Sequence, residues 1–526
     1  MLIATFCLAA GTPCIAEATA VNAGPQVKTI DGELRGVNEN GIEVFRGVPF
    51  AADVGGAGRW RPPAPPAHWS GVRDATVAGP ICPQSTKTYN RVPPPWMALF
   101  RISEDCLNLS VFTPSLKADA KAPVMVWIHG GGARAGSGSQ FDGAELAKRG
   151  VVVVTINYRL DRLGLFAHPA LTASQPREAL GNYGLMDIVA SLRWVKANIK
   201  VFGGDPHNVT IFGQSSGAVA VTALMVSPLA KGLYQKAIAQ SGSIAVAGST
   251  RYLSSAMSPV NSLESDGVAM AKALHVDTSK NIPAQLRALP WQAIIDYTDT
   301  QPPSVMVPVV DGKVIPRDPV RMFADGQQNS TPFMGGSVSW EQSLIAPFNL
   351  PLGAALQGVS PDAVRAVYGK VDDKTLAGEW FADSFFHAPA RFAATEMERH
   401  GQPAYVYQFA HLGASTRGKQ PGAAHSDEIP YLLGRLGVTQ APAPDQADLK
   451  LADTMKGYWI HFARSGNPNG AGLPIWPQYT AADHALMVLD TAPTVSHKLL
   501  QARMEFMAQR YQQSLAQPAP TAKASH

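Results

Sequence analysis

Between residues 124 and 241 the chain alternates short runs of consecutive apolar residues with stretches of helical period. Residues 124–128 (VMVWI) and 151–157 (VVVVTIN) are apolar at successive positions, which predicts strands buried on both faces. Residues 187–198 (DIVASLRWVKAN) place apolar side chains three and four apart, predicting a helix with one face inward. Residues 209–212 (VTIF) and 236–240 (KAIAQ) read as further strands, and 218–225 (AVAVTALM) as a buried helix of small residues. This alternation predicts an α/β fold with a doubly wound, mostly parallel sheet, whose strand carboxyl ends hold any site.

Outside this stretch the pattern is coarser. Residues 27–46 read as short strands and turns, and the Pro/Gly-rich 55–66 as irregular surface chain. Residues 254–316 are helical and loop-rich, as part of a cap over the sheet would be. Residues 332–335 and 404–409 (AYVYQF) read as later strands returning to it, and 449–465 as an amphipathic helix ahead of the turn Asn467-Pro468-Asn469-Gly470.

Composition narrows the class. A chain of 526 residues, 46% hydrophobic and 16% charged, can bury a large core. The expectation is one domain over residues 24–512, with cap insertions at roughly 250–325 and 343–400. The net charge of +4 is neither a nucleic-acid footprint nor a polybasic membrane signal, and no apolar run is long enough for a membrane span. Residues 2–10 (LIATFCLAA) are apolar and are followed by small residues at 18–20, predicting a signal peptide over 1–23 and export to the periplasm or medium. No Lys or Arg precedes Lys28, so the usual basic start is missing. Cys7 and Cys14 fall in that leader, leaving Cys82 and Cys106, an even number in an exported protein. Residues 513–526, rich in Ala, Pro and Gln, read as a disordered tail.

The candidate chemistry centres on Gly213-Gln214-Ser215-Ser216-Gly217, a G-x-S-x-G between a predicted strand and a predicted helix. Such an elbow holds a serine on a tight turn with its hydroxyl exposed. His129-Gly130-Gly131-Gly132 follows the 124–128 strand, where glycines let backbone N–H groups approach a ligand. A phosphate loop would need Gly-Lys-Ser/Thr after the glycines, and Ala133-Arg134 stands there instead, which favours an oxyanion hole. A serine nucleophile needs a base and an orienting acid, in the chain order Ser, acid, His. His425, in a loop after the 404–409 strand, and Glu341, after the 332–335 strand, are candidates. Asp427 and Glu428 are closer to His425 in sequence.

These residues lie within a longer series of motifs. Phe45-Arg46-Gly47-Val48-Pro49-Phe50, Glu104-Asp105-Cys106-Leu107, Asn157-Tyr158-Arg159-Leu160 and Gly181-Asn182-Tyr183-Gly184-Leu185-Met186-Asp187 come before the elbow, as does Phe202-Gly203-Gly204-Asp205-Pro206. Val307-Pro308-Val309-Val310-Asp311-Gly312 and residues 462–469 (FARSGNPN) follow it. In this order the chain resembles the type-B carboxylesterase/cholinesterase family of α/β hydrolases over about residues 27–501. The resemblance implies an α/β-hydrolase fold and a serine carboxylesterase. It assigns Ser215 as nucleophile, His425 as base and Glu341 as orienting acid, with Gly131, Gly132 and Ser216 donating oxyanion N–H groups. It also implies a Cys82–Cys106 disulfide, a supporting hydroxyl at Ser241, a small-molecule ester as substrate, and no metal or cofactor. Monomer and dimer stay open.

Departures from the family pattern bear on the substrate. Gln214 stands where the family often carries Glu, removing a carboxylate that helps attract cationic substrates. Ser216 replaces Ala but donates through its backbone. Trp96, ten residues before Cys106, matches the choline-binding Trp of cholinesterases, or is an ordinary gorge wall. Ala133 replaces a common aromatic, which should widen the space near the acyl group. Asn108, Asn208 and Asn329 head N-x-S/T sequons, the first two inside core motifs where a glycan would not fit. A lipase, an amide or carbamate hydrolase on the same machinery, and a non-catalytic binding relative are the alternatives.

Overall fold

The computed structural model describes residues 24–85, 95–254, 257, 262–302, 306–348, 350–356, 358–434 and 442–518. The expected signal peptide lies outside these residues. The core is an eleven-stranded sheet. Its strands are β1 (Val37–Glu39), β2 (Ile42–Pro49), β3 (Asn108–Thr113), β4 (Ala122–Ile128), β5 (Val152–Ile156), β6 (Gly204–Gln214), β7 (Lys236–Gln240), β8 (Phe333–Val338), β9 (Ala404–Phe409), β10 (Leu486–Leu489) and β11 (Thr494–Ser496). Their spatial order is β11-β10-β9-β8-β7-β6-β4-β5-β3-β2-β1. From β5 across to β10 every pairing is parallel, and antiparallel strands close the two edges.

The apolar runs explain the centre. Val152–Ile156 is buried at every position, because helices cover both faces of a parallel sheet. The longer helices include α1 (Tyr183–Asn198), α2 (Ser216–Met225), α3 (Asp373–Ala382), α4 (Ala388–Arg399), α5 (Gln446–Ser465) and α6 (Gln501–Ala516). In α2 the side chains of Ala218, Val221, Ala223 and Leu224 are wholly buried, so the segment starting at the elbow is anchored in the core. Short helices at Leu263–Ala273, Ile282–Ala288 and Trp291–Asp299 occupy the stretch read as cap.

Several motifs prove to be joints. Fully buried Asp187 on α1 accepts from the Arg159 guanidinium at 2.8 and 2.7 Å, and from the Arg159 N–H at 3.0 Å. Arg59 makes a two-pronged bond to Glu104 (2.7 and 2.6 Å) beside the Cys82–Cys106 disulfide. Asn108 is buried and donates to the carbonyls of Pro80 and Cys106, which leaves no room for a glycan.

One expectation needs correcting. The tail read as disordered from Gln513 is helical to Ala516, as the end of α6. Tyr511 stacks on Phe392 at 4.1 Å and donates to the Ala245 carbonyl, while Arg321 donates to the carbonyls of Ser514 and Leu515. The helix is held by tertiary contacts that composition does not reveal. Residues 519–526 lie outside the described residues.

Candidate active site

Four parallel strands end at one place. Ser215 follows β6, Glu341 lies just beyond β8, His425 is on the loop after β9, and the glycines 130–132 follow β4. Ser215 sits at φ 57°, ψ −124°, a conformation a non-glycine residue holds only under strain, at a cost of about 1–3 kcal/mol. The turn survives because its neighbours are tied down. The Ser215 N–H donates to Gln240 at 2.8 Å. A Cβ at Gly217 would lie 2.0 Å from the Ile128 carbonyl oxygen, so only glycine lets α2 start against β4.

Fully buried Glu341 accepts the His425 Nδ1–H at 2.6 Å through Oε2, and the Val338 N–H at 2.9 Å through Oε1. Both carboxylate oxygens are therefore fixed. The His425 backbone donates to Ser343 Oγ at 2.9 Å, and Asp427 accepts the Ala424 N–H at 2.8 Å, shaping the loop. On the far side of the imidazole, Gln214 Nε2 lies 3.1 Å from His425 Nε2. A carboxylate at Nδ1 and an amide donor at Nε2 together specify the neutral tautomer protonated at Nδ1. Among the described residues no hydrogen bond joins Ser215 Oγ to His425, because Gln214 holds the nitrogen that a serine would use. Such bonds often tighten only when substrate is present.

The glycine loop touches the elbow directly. Gly131 has φ 107°, and a Cβ there would lie 2.0 Å from the Ala135 carbonyl oxygen. Among the described residues, the N–H groups of Gly131, Gly132 and Ser216 donate to no protein acceptor. The Ser216 hydroxyl accepts the Ala133 N–H at 2.9 Å, tying loop to elbow. An alanine at 216 could not make this tie. Behind the loop, His129 is buried against Tyr158 (4.4 Å between rings), and burial lowers its pKa to about 4. Ala133 lines a small cavity of about 40 Å³ with Ser216, Tyr158, Leu185 and Met306.

The other expected residues are less closely joined. Ser241 is buried at the end of β7 with its hydroxyl unpaired among the described residues. Trp96 is half-buried and packs on Phe100 at 6.3 Å, and no ring or hydrogen-bond contact links it to Ser215, Gln214 or His425. Of two further neighbours of the imidazole, Phe386 was not singled out from sequence, and Glu428 was named there only as an acid close to His425 along the chain. Phe386 meets His425 ring to ring at 5.3 Å. Glu428 is fully buried, its carboxyl raised to about 7 by burial, opposed by His425 and reinforced by Glu341. It accepts from Gln240 Nε2 at 3.4 Å, and Gln240 in turn accepts from Trp459. An acid three residues after the histidine was the available signal.

The likeness to known proteins runs over most of the chain. A sequence model of the carboxylesterase family matches residues 23–370 and 370–507. The medium-chain fatty acyl-CoA hydrolase precursor of Anas platyrhynchos is 34% identical over 539 residues, covering 94% of this chain and 93% of that one. The fumonisin B1 esterase of Sphingopyxis macrogoltabida is 34% identical over 472 residues, covering 86% and 84%. A solved PNB esterase superposes with a TM-score of 0.78 at 30% identity, covering 92% of this chain and 99% of that one.

Proposed function

The chain belongs to the carboxylesterase family and is a carboxylic ester hydrolase, and from that premise we propose a serine mechanism with a covalent acyl-enzyme. Ser215 Oγ attacks the ester carbonyl while His425 Nε2 takes its proton. For this the Gln214 amide must yield the nitrogen to the serine. Glu341 holds the Nδ1–H and stabilises the imidazolium that forms. The N–H groups of Gly131, Gly132 and Ser216 receive the oxyanion, each worth about 3–4 kcal/mol in the transition state. The alcohol leaves with the proton from His425. Water, deprotonated by the same nitrogen, then releases the acid and restores the serine. Every step draws on side chains and backbone of this chain alone.

The observation that carries this reading is the 2.6 Å contact between fully buried Glu341 and a histidine whose other nitrogen faces the elbow. Substrates are small esters, and Ala133, on the glycine loop beside the elbow, favours acyl groups larger than acetyl. Export follows from the apolar leader with small residues behind it, and no described helix is long and apolar enough to cross a membrane. Ser215→Ala should lower p-nitrophenyl ester turnover by at least about ten-thousand-fold, with the fold kept by circular dichroism. A variant that retains a pre-steady-state burst would rule the mechanism out.

A further inference from the structure

Away from Ser215, a cavity of about 290 Å³ opens between α4 and the C-terminal helix α6. Ala388 and Phe392 of α4, Leu499, and Met504 and Tyr511 of α6 give it an apolar lining. Its size is at the lower end of the range for small-molecule sites.

The lining also contains charge, and most of it is already paired. Arg399 holds Glu396 at 3.2 Å, His497 holds Asp483 at 2.7 Å, the Tyr479 hydroxyl meets His484 at 3.2 Å, and Glu505 accepts from Gln501 at 2.9 Å. Of the two arginines in the lining, Arg391 is the one without an ion pair among the described residues, and Glu505, held only by a neutral amide, is the one carboxylate of the lining without one. The Arg391 guanidinium donates one hydrogen bond among the described residues, to the Leu499 carbonyl at 2.8 Å. Asp383, the acid whose charge it feels, is already held by Arg503 at 2.6 Å and by the Tyr368 hydroxyl at 2.6 Å. Arg391 is half-buried, and burial lowers its pKa. An arginine in such surroundings gains most from a planar anion that takes two of its N–H groups at once.

We propose that this cavity binds a short- or medium-chain carboxylate, with its carboxylate on Arg391 and its chain against Phe392, Met504 and Tyr511. The carboxylate matches the guanidinium fork, and the apolar wall takes the alkyl tail. The site is separate from the elbow and uses none of the residues assigned to ester cleavage.

Octanoate serves as the probe, titrated calorimetrically into the full chain, with 1-octanol as the uncharged control. One octanoate should bind more tightly than octanol, and Arg391→Met should weaken it about tenfold or more while p-nitrophenyl ester turnover stays within twofold. Ala508→Trp, on the exposed side of α6 at the cavity rim, fills the space with Arg391 intact and should also abolish binding. It serves if the arginine variant does not fold. Octanoate affinity equal to wild type in both variants, or binding removed only by ester inhibitors, would overturn the assignment.

Discussion

At the scale of single residues, Gln214 decides the resting state of the imidazole. Its amide donates to His425 Nε2 and so selects the tautomer protonated at Nδ1, which leaves Nε2 as the base. A carboxylate in its place would favour the imidazolium. Gln214→Glu should therefore move the acid limb of kcat/KM upward by about one pH unit or more, and lower KM for cationic esters. An unshifted pH profile would show that the side chain does not sense the base. Ala133→Phe should depress turnover of bulky acyl esters more than of acetyl esters, and equal effects would contradict a role in acyl space. Glu428 predicts a pH dependence of stability. Its folded pKa of about 7 lies above the usual 4.5, so the folded state binds this proton more tightly than the unfolded one. The contribution is fully present below about pH 4.5 and is lost as pH rises to about 7, amounting to roughly 3 kcal/mol at most. In Glu428→Gln that decline should vanish from denaturant-melt stabilities measured between pH 5 and 8.

Among the elements, α6 reaches the site through one turn of chain. Arg503 on α6 pairs with fully buried Asp383 (2.6 Å), which opens a π-helical turn, Asp383–His387. That turn carries Phe386 onto His425 and His387 to Ser337 Oγ at 2.7 Å. Such turns are frequent at functional sites. Removing one partner of a buried pair costs about 3–5 kcal/mol, so Arg503→Met should destabilise the protein by roughly that amount. It should also lower kcat more than it raises KM, because the histidine rather than the substrate loses its support. An unchanged kcat with normal folding would separate α6 from the site.

Legibility in the sequence varied with the element. The central strands were plain because burial on both faces makes them continuously apolar. β3, with Asn108, Ser110 and Thr113 among its residues, was hidden from the pattern although every position is buried. Helices α4 and α6 have polar outer faces, and their placement rests on pairs such as Phe392–Tyr511 that join distant parts of the chain. The candidate triad was legible only through the resemblance that the ordered motifs carry, since the residue pattern alone left Glu341 and His425 as candidates beside Asp427 and Glu428. The Gln214–His425 contact spans 211 residues and no local pattern encodes it. Nor could sequence show that Glu428 faces the interior beside the base.

The whole molecule is a parallel sheet that brings four strand ends together and keeps a strained serine at their meeting point. The Cys82–Cys106 bridge, closing 24 residues of chain, steadies one flank, and replacing both cysteines with alanine should cost roughly 3 kcal/mol in stability with little change in kcat. The central claim is that turnover passes through an ester of Ser215. Acid-quenching the enzyme during turnover of a slowly deacylating p-nitrophenyl ester, followed by intact-mass and peptide-mass analysis, tests it most directly. One acyl group per chain, on the peptide carrying Ser215 and absent from Ser215→Ala, is the predicted result. Full turnover with no acyl adduct, or an adduct on another residue that forms at the rate of turnover, would contradict it.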